Sequence, residues 1–365
     1  MALFSNHWIK KFEHQYRELP LGDDEPESIV ISGDESVASD DFAFEAEVEA
    51  EAETETEAEP ESEAAGVSSR GKVVSRMISY ISNESLMGKS LKTGELRKRM
   101  KEPVWTVPEP FNLTSFEMDG FTMKMLSSKD NPDLDHVILQ LHGGGYMGAI
   151  RNAYYVFAGL YNEVSKGMNV LCPDYRVAPE NPYPAALEDA VASFKWLLTR
   201  GYKPENIVVA GDSAGGGLAM ALCMYLRDNG LSMPGGIIAM SPWTDLTASG
   251  ASYDDNYDKD PLYGGTRESL IYINAYPGDH DKTDPYISPA FGSFKDFPPM
   301  LIQVGSNEML LSDSETVAAK ARDEGVKVRY HVYEGMFHVF QMAYTAIPES
   351  KKAWIEVGKF FEVLF

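Results

Sequence analysis

From Val137 onward the chain alternates short apolar runs with helical stretches, and this alternation constrains its fold more than any other feature. The runs are Val137–Leu141, Asn169–Cys172, Ile207–Ala210, Ile237–Met240, Met300–Val304 and Val328–Tyr333, most of them nearly continuous in hydrophobicity. Strands buried on both faces lose the in-and-out alternation of half-exposed ones, so these read as members of a mostly parallel sheet. Ala185–Arg200, Ala214–Arg227, Ser314–Glu324 and Glu349–Phe360 read as helices. The repetition predicts an α/β fold: a mostly parallel central sheet with helices on both faces. Leu113–Met118 and Phe121–Leu126 alternate apolar and polar residues around Asp119-Gly120, so an antiparallel hairpin should lead into it. Upstream, Val73, Val74, Met77, Ile78, Ile81 and Leu86, then a basic run through Lys101, read as one or two short helices. Asp245–Phe297, about fifty residues without a clear strand, is long enough for a lid or cap over a site.

Charge divides the chain differently. The formal net charge is −24, which excludes a basic nucleic-acid binder. Residues 22–66 hold 18 acids and no Lys or Arg, so −18 of that charge sits there and only −6 on the other 320 residues. From Glu45 to Glu63 a Glu occupies every odd position, which leaves too little apolar surface to offset ordering the segment. Residues 22–70 are therefore expected to be a disordered acidic tail, a solubilising linker or a docking site for a basic partner. Before it, Leu3, Phe4, Trp8, Ile9, Phe12 and Tyr16 have helical spacing, so residues 1–21 read as an amphipathic helix packed on its own domain. Two cysteines, Cys172 and Cys223, cannot make a disulfide framework. No basic segment followed by an apolar stretch opens the chain, and the longest apolar run, Gly217–Leu226, is too short to span a bilayer. The expectation is a cytoplasmic protein without stable membrane insertion.

Gly211-Asp212-Ser213-Ala214-Gly215 lies between the run Ile207–Ala210 and a helix. A bare G-x-S-x-G arises by chance in about one chain in ten of this size. Its place between strand and helix is what a nucleophile elbow requires, a strained turn that lifts a serine Oγ above the sheet. A Gly-rich turn that binds phosphate at a helix N-terminus is the bland alternative, but no Lys-Ser/Thr follows and the Rossmann spacing is absent. His142-Gly143-Gly144-Gly145 ends the run Val137–Leu141, and such a loop partners the elbow by presenting free amides to a developing oxyanion. The amides of Gly143, Gly144 and Ala214 are the expected oxyanion donors, with His142 and Asp212 as structural support. A base must follow Ser213 in the chain. Of His280, His331 and His338, only His338 falls in the loop after the last strand, at the carboxyl edge of the sheet. The acid should follow Met300–Val304, where Glu308 and Asp313 are both candidates, since either can hold the imidazole tautomer.

With the elbow and the glycine loop in hand, the chain resembles the hormone-sensitive-lipase-like family of α/β-hydrolases over roughly residues 130–345. Asp174-Tyr175-Arg176-Val177-Ala178-Pro179-Glu180, Pro184-Ala185-Ala186-Leu187-Glu188-Asp189, Ser241-Pro242-Trp243-Thr244-Asp245 and Ile302-Gln303-Val304-Gly305-Ser306 also match, in the family's order. The resemblance implies a serine carboxylesterase acting on short- to medium-chain esters through an acyl-enzyme on Ser213, with no metal or organic cofactor. It favours Glu308 over Asp313, because the family's acid lies thirty residues before its histidine. The departure is Glu for Asp, with Met309-Leu310 in place of Pro-Leu. It also assigns a cap to about 71–110 and 246–285, the second segment an insertion within a hydrolase domain of 111–365. Two other readings use the same fold. One is a non-catalytic receptor for a small molecule, as in the plant gibberellin receptors that resemble this family but lose the histidine. The other is an amidase or deacetylase. Pairing into a homodimer is left open.

Overall fold

The computed structural model describes residues 67–81, 104–344 and 346–365. The opening apolar segment, the acidic tail to residue 66 and the basic run through Lys101 lie outside the described residues. Helix α1 (Ser69–Ile81) begins where Ser68 caps it: Ser68 Oγ accepts the Gly71 N–H at 2.9 Å and donates to Glu349 Oε2 at 2.9 Å. Strands β1 (Phe111–Glu117) and β2 (Thr122–Ser128) pair antiparallel. The Met118 N–H donates to the Phe121 carbonyl at 2.9 Å, leaving Asp119-Gly120 as the two-residue turn with Gly120 at φ 85°.

The chain then runs through β3 (Asp133–Leu141), α2 (Asn152–Val164), β4 (Met168–Asp174), α3 (Ala185–Thr199), β5 (Ile207–Asp212) and α4 (Ala214–Asp228). After β6 (Gly236–Met240) come the short α5 (Ser252–Asp255), β7 (Met300–Gly305), α6 (Leu311–Asp323), β8 (Val328–Tyr333) and α7 (Pro348–Leu364). The sheet order is β1-β2-β4-β3-β5-β6-β7-β8; β2 is antiparallel to β1 and β4, and every later pair is parallel.

The parallel strands β4 to β7 are buried almost throughout, which is why they read as unbroken apolar runs. On one face Leu139, Val209, Ile237 and Ile302 pack with Phe194 of α3, Leu218 and Leu222 of α4 and Val317 of α6. Each such side chain contributes about 1.5–3 kcal/mol on full burial. The other face belongs to α2 and α7: Tyr161 donates to Met240 Sδ at 3.9 Å, and Trp354 meets Phe157 and Tyr161 edge-on at 5.2 and 4.9 Å.

Helix α2 departs from the sequence reading, which placed no element there. Nearly all of its residues are buried, so it has no polar stripe, and Tyr154-Tyr155-Val156-Phe157 carries residues common in strands. Helix α6 starts at Leu311, three residues before the expected Ser314, and α7 runs from Pro348 to Leu364, past the expected Glu349–Phe360. Between β6 and β7 the insertion holds only α5 and a 3₁₀ turn, Pro289–Phe291, as regular structure. No helix among the described residues is long and apolar enough to cross a membrane.

Candidate active site

The carboxyl ends of β3, β5, β6, β7 and β8 bring His142, Ser213, Ser241, Glu308 and His338 to one edge of the sheet, where open α/β sheets bind ligands. Ser213 sits between β5 and α4 at φ 52°, ψ −123°, a conformation that costs a non-glycine residue about 1–3 kcal/mol. Its surroundings hold it there. The Ser213 N–H donates to the Met240 carbonyl at 2.9 Å, and its own carbonyl accepts the Trp243 and Gly216 amides at 2.9 and 3.0 Å. The turn is so tight that a Cβ on Gly211 would run into the Gly215 carbonyl, and one on Gly215 into that of Leu141. The glycines of the motif are therefore a packing requirement as well as a sequence signal.

His338 follows β8, and its Nδ1 lies 2.9 Å from Glu308 Oε2. Both side chains are almost fully enclosed, at 3% and 0% exposure, so bulk water cannot screen the pair. The other oxygen, Glu308 Oε1, accepts the Ser241 hydroxyl at 2.7 Å and the Gly305 N–H. Ser241 Oγ in turn accepts the Val339 N–H at 3.1 Å, closing a ring of contacts around the imidazole. Burial alone would lower the His338 pKa; the hydrogen bond and charge of Glu308, backed by Asp260 and Asp212, outweigh it, and the net shift is upward. His338 Nε2 is buried with no hydrogen-bond partner among the described residues.

Asp313, the other candidate acid, is elsewhere engaged. One of its oxygens accepts the Thr244 and Asp245 amides at 2.7 and 2.8 Å, and burial pushes its pKa up to about 8. The structure brings Glu308, and not Asp313, against the imidazole. His331 points out from β8 toward Glu356, 3.4 Å away, and His280 is exposed beside the Tyr183 ring.

In the glycine loop, burial pushes His142 down to about 4, so the ring is neutral near neutral pH. Its Nδ1 lies 2.7 Å from the Gly143 carbonyl and must be the protonated nitrogen to bond it. The ring stacks on Tyr175 at 4.0 Å, and the Tyr175 hydroxyl donates to the His142 carbonyl at 2.6 Å. Because C=O and N–H point oppositely across a trans peptide, tying down the Gly143 carbonyl turns the Gly144 N–H the other way. The Gly144 carbonyl likewise accepts the Met147 and Gly148 amides at 3.2 and 2.9 Å, which turns the Gly145 N–H away from them.

Here the structure corrects the sequence reading. The Gly143 N–H, expected to face an oxyanion, donates to Asp212 Oδ1 at 3.1 Å, and Asp212 Oδ2 accepts the Tyr154 hydroxyl at 3.2 Å. Burial pushes the Asp212 carboxyl up to about 7. The amides of Gly144, Gly145 and Ala214 have no protein acceptor among the described residues.

The insertion grips both loops, which sequence reasoning missed. Asn256 Nδ2 donates to the Ser306 and Glu308 carbonyls at 3.0 and 2.8 Å, and Asp260 Oδ2 accepts the Met309 N–H at 2.8 Å. Asn274 Nδ2 donates to the Gly145 carbonyl at 2.8 Å, and Tyr276 stacks on Tyr146 at 3.8 Å. Among the described residues no group of three or more His, Cys, Asp or Glu side chains is placed to hold a metal ion.

Comparison with known proteins agrees with this architecture. Residues 138–342 match a protein family described by its alpha/beta hydrolase fold. An acetyl-hydrolase of Streptomyces hygroscopicus is 38% identical over 225 residues, covering 61% of this chain and 74% of the relative. An esterase of Acinetobacter venetianus is 36% identical over the same length, with the same coverage. Among solved structures, the esterase EstE5 soaked with p-nitrophenyl butyrate superposes with a TM-score of 0.73 at 32% identity, covering 81% of this chain and 99% of that one. An esterase from the bacterial hormone-sensitive lipase family superposes with a TM-score of 0.71 at 31% identity, covering 81% of this chain and 98% of that one. The chain belongs to the hormone-sensitive-lipase-like family of α/β-hydrolases.

Proposed function

We propose that the protein is a serine carboxylesterase that hydrolyses short- to medium-chain carboxylic esters. The observation that carries the reading is the buried Glu308–His338 pair, whose free ring nitrogen Nε2 lies on the same sheet edge as the strained Ser213. With Nδ1–H bonded to Glu308, Nε2 carries the lone pair and can take a proton. In the proposed reaction Ser213 Oγ attacks the ester carbonyl while its proton passes to Nε2. The amides of Gly144, Gly145 and Ala214 meet the oxygen that becomes negative, and His338 returns the proton to the departing alcohol. Water then repeats the sequence on the acyl-enzyme. Glu308 steadies the imidazolium, and Ser241 and Gly305 keep Glu308 in place. His142 and Asp212 act on the donor loop, the first by aiming the Gly144 amide and the second by anchoring Gly143. Relatives named for acetyl-hydrolase and esterase activity support the same class of substrate.

A panel of p-nitrophenyl esters tests the substrate class. Acetate and butyrate should turn over faster than laurate; a clear preference for laurate, or no hydrolysis of any member, would remove the reading. The pH profile tests the base. His338 must be neutral to accept the proton, and its pKa is raised, so activity is lost as pH falls through a value above the ordinary 6.5. The acid limb of kcat/KM should therefore lie above 6.5, and a limb below it would argue against His338 as base.

A further inference from the structure

The insertion delivers one polar side chain to the reacting groups that the mechanism above leaves unused. Tyr263 lies in the turn Asp260-Pro261-Leu262-Tyr263, and Asp260 fixes where that turn sits. One Asp260 oxygen accepts the Leu262 and Tyr263 amides at 2.8 and 3.0 Å; the other accepts the Met309 amide at 2.8 Å, so the turn is fastened to the residue next to Glu308. The Gly264 and Gly265 amides close it by donating to the Asp260 and Tyr257 carbonyls at 3.1 and 3.0 Å. From there the phenol ring comes within 5.0 Å of the His338 ring, centre to centre. Burial raises its pKa, so it stays a neutral hydroxyl that can both donate and accept.

A neutral hydroxyl on a ring packed against the base can contact whatever His338 Nε2 must reach. The oxyanion has its own donors in the backbone amides of Gly144, Gly145 and Ala214. A leaving alcohol is carried into position by the ester to which it is joined, whereas the water that cleaves the acyl-enzyme has no tether and needs a polar contact besides the imidazole. We infer that Tyr263 positions the hydrolytic water for deacylation, its hydroxyl holding that water beside the His338 imidazole once Oγ carries the acyl group. The inference rests on the acyl-enzyme reading above. The water oxygen bonds to the acyl carbon as its proton passes to His338 Nε2. The tetrahedral intermediate then collapses with cleavage of the carbon–Oγ bond. Ser213 Oγ recovers the proton from His338, and the carboxylic acid leaves with the water oxygen.

Stopped-flow kinetics of the full chain with p-nitrophenyl acetate separates the two halves of the reaction. In Tyr263→Phe the first nitrophenol equivalent should appear at a rate within about twofold of wild type, while steady-state turnover falls about tenfold. The kcat values for p-nitrophenyl and phenyl acetate should converge, since both esters pass through the same acetyl-enzyme. Unchanged turnover, or first and later phases slowed by the same factor, would overturn the role of Tyr263 while leaving the acyl-enzyme intact. Nitrophenol release by Ser213→Ala as fast as by wild type would overturn the acyl-enzyme itself.

Discussion

Replacing Ser213 with alanine should lower kcat/KM for p-nitrophenyl acetate by roughly 10⁴- to 10⁶-fold and leave the fold intact. The size follows from what the substitution removes. Without Oγ no acyl-enzyme forms, and only the amides of Gly144, Gly145 and Ala214 and the substrate contacts remain to favour the transition state. Alanine can occupy the same strained backbone position, since the bonds from Met240 and Trp243 that hold it are to main-chain groups. The melting temperature should therefore stay close to that of wild type. His338→Ala should cost about as much, and the double variant little more than either, because nucleophile and base act as one unit. A loss smaller than about tenfold in Ser213→Ala would place the chemistry elsewhere.

Much of this arrangement is legible in the sequence, for physical reasons that differ by element. Strands β5, β6 and β7 are buried on both faces, so their apolar runs announce them, and the Asp119-Gly120 turn marks the hairpin through its glycine at φ 85°. Helix α2 is silent because burial all round removes the polar stripe that would have set its period. Ser213 and His338 are legible because both fall just past strand ends, where the resemblance places a nucleophile and a base. The donor loop shows where local reading fails: the Gly143 amide is consumed by a carboxylate 69 residues away, and nothing in the run of glycines distinguishes it from Gly145. Ser241, Asn256 and Asp260 share that difficulty. Their contacts are polar, long in sequence separation and made largely from a segment without periodicity. Ser241 could be seen as part of a recurring Ser-Pro-Trp motif, but its hydroxyl's bond to Glu308 becomes visible only when β6 and β7 lie side by side.

The two carboxylates after β7 should separate under mutation. Glu308→Ala should lower kcat for p-nitrophenyl acetate by about 10³- to 10⁴-fold with little change in KM, since the contact it removes stabilises the imidazolium and the tautomer and touches no substrate. Glu308→Gln should be nearly as slow: the amide keeps the shape but brings no charge to meet the developing cation. Asp313→Ala should behave oppositely. Its carboxyl, pushed up to about 8, is largely uncharged at neutral pH and could do little for an imidazolium even if it were closer. What it does is accept the buried amides of Thr244 and Asp245, and leaving these without a partner costs about 1–3 kcal/mol each. Asp313→Ala should therefore melt several degrees below wild type while its folded fraction keeps kcat within about threefold. Active-site titration alongside a thermal melt distinguishes the two effects, because it counts competent sites separately from their rate. If Asp313→Ala loses turnover per competent site and Glu308→Ala keeps most of it, the acid has been assigned to the wrong residue, and the buried Glu308–His338 contact is structural.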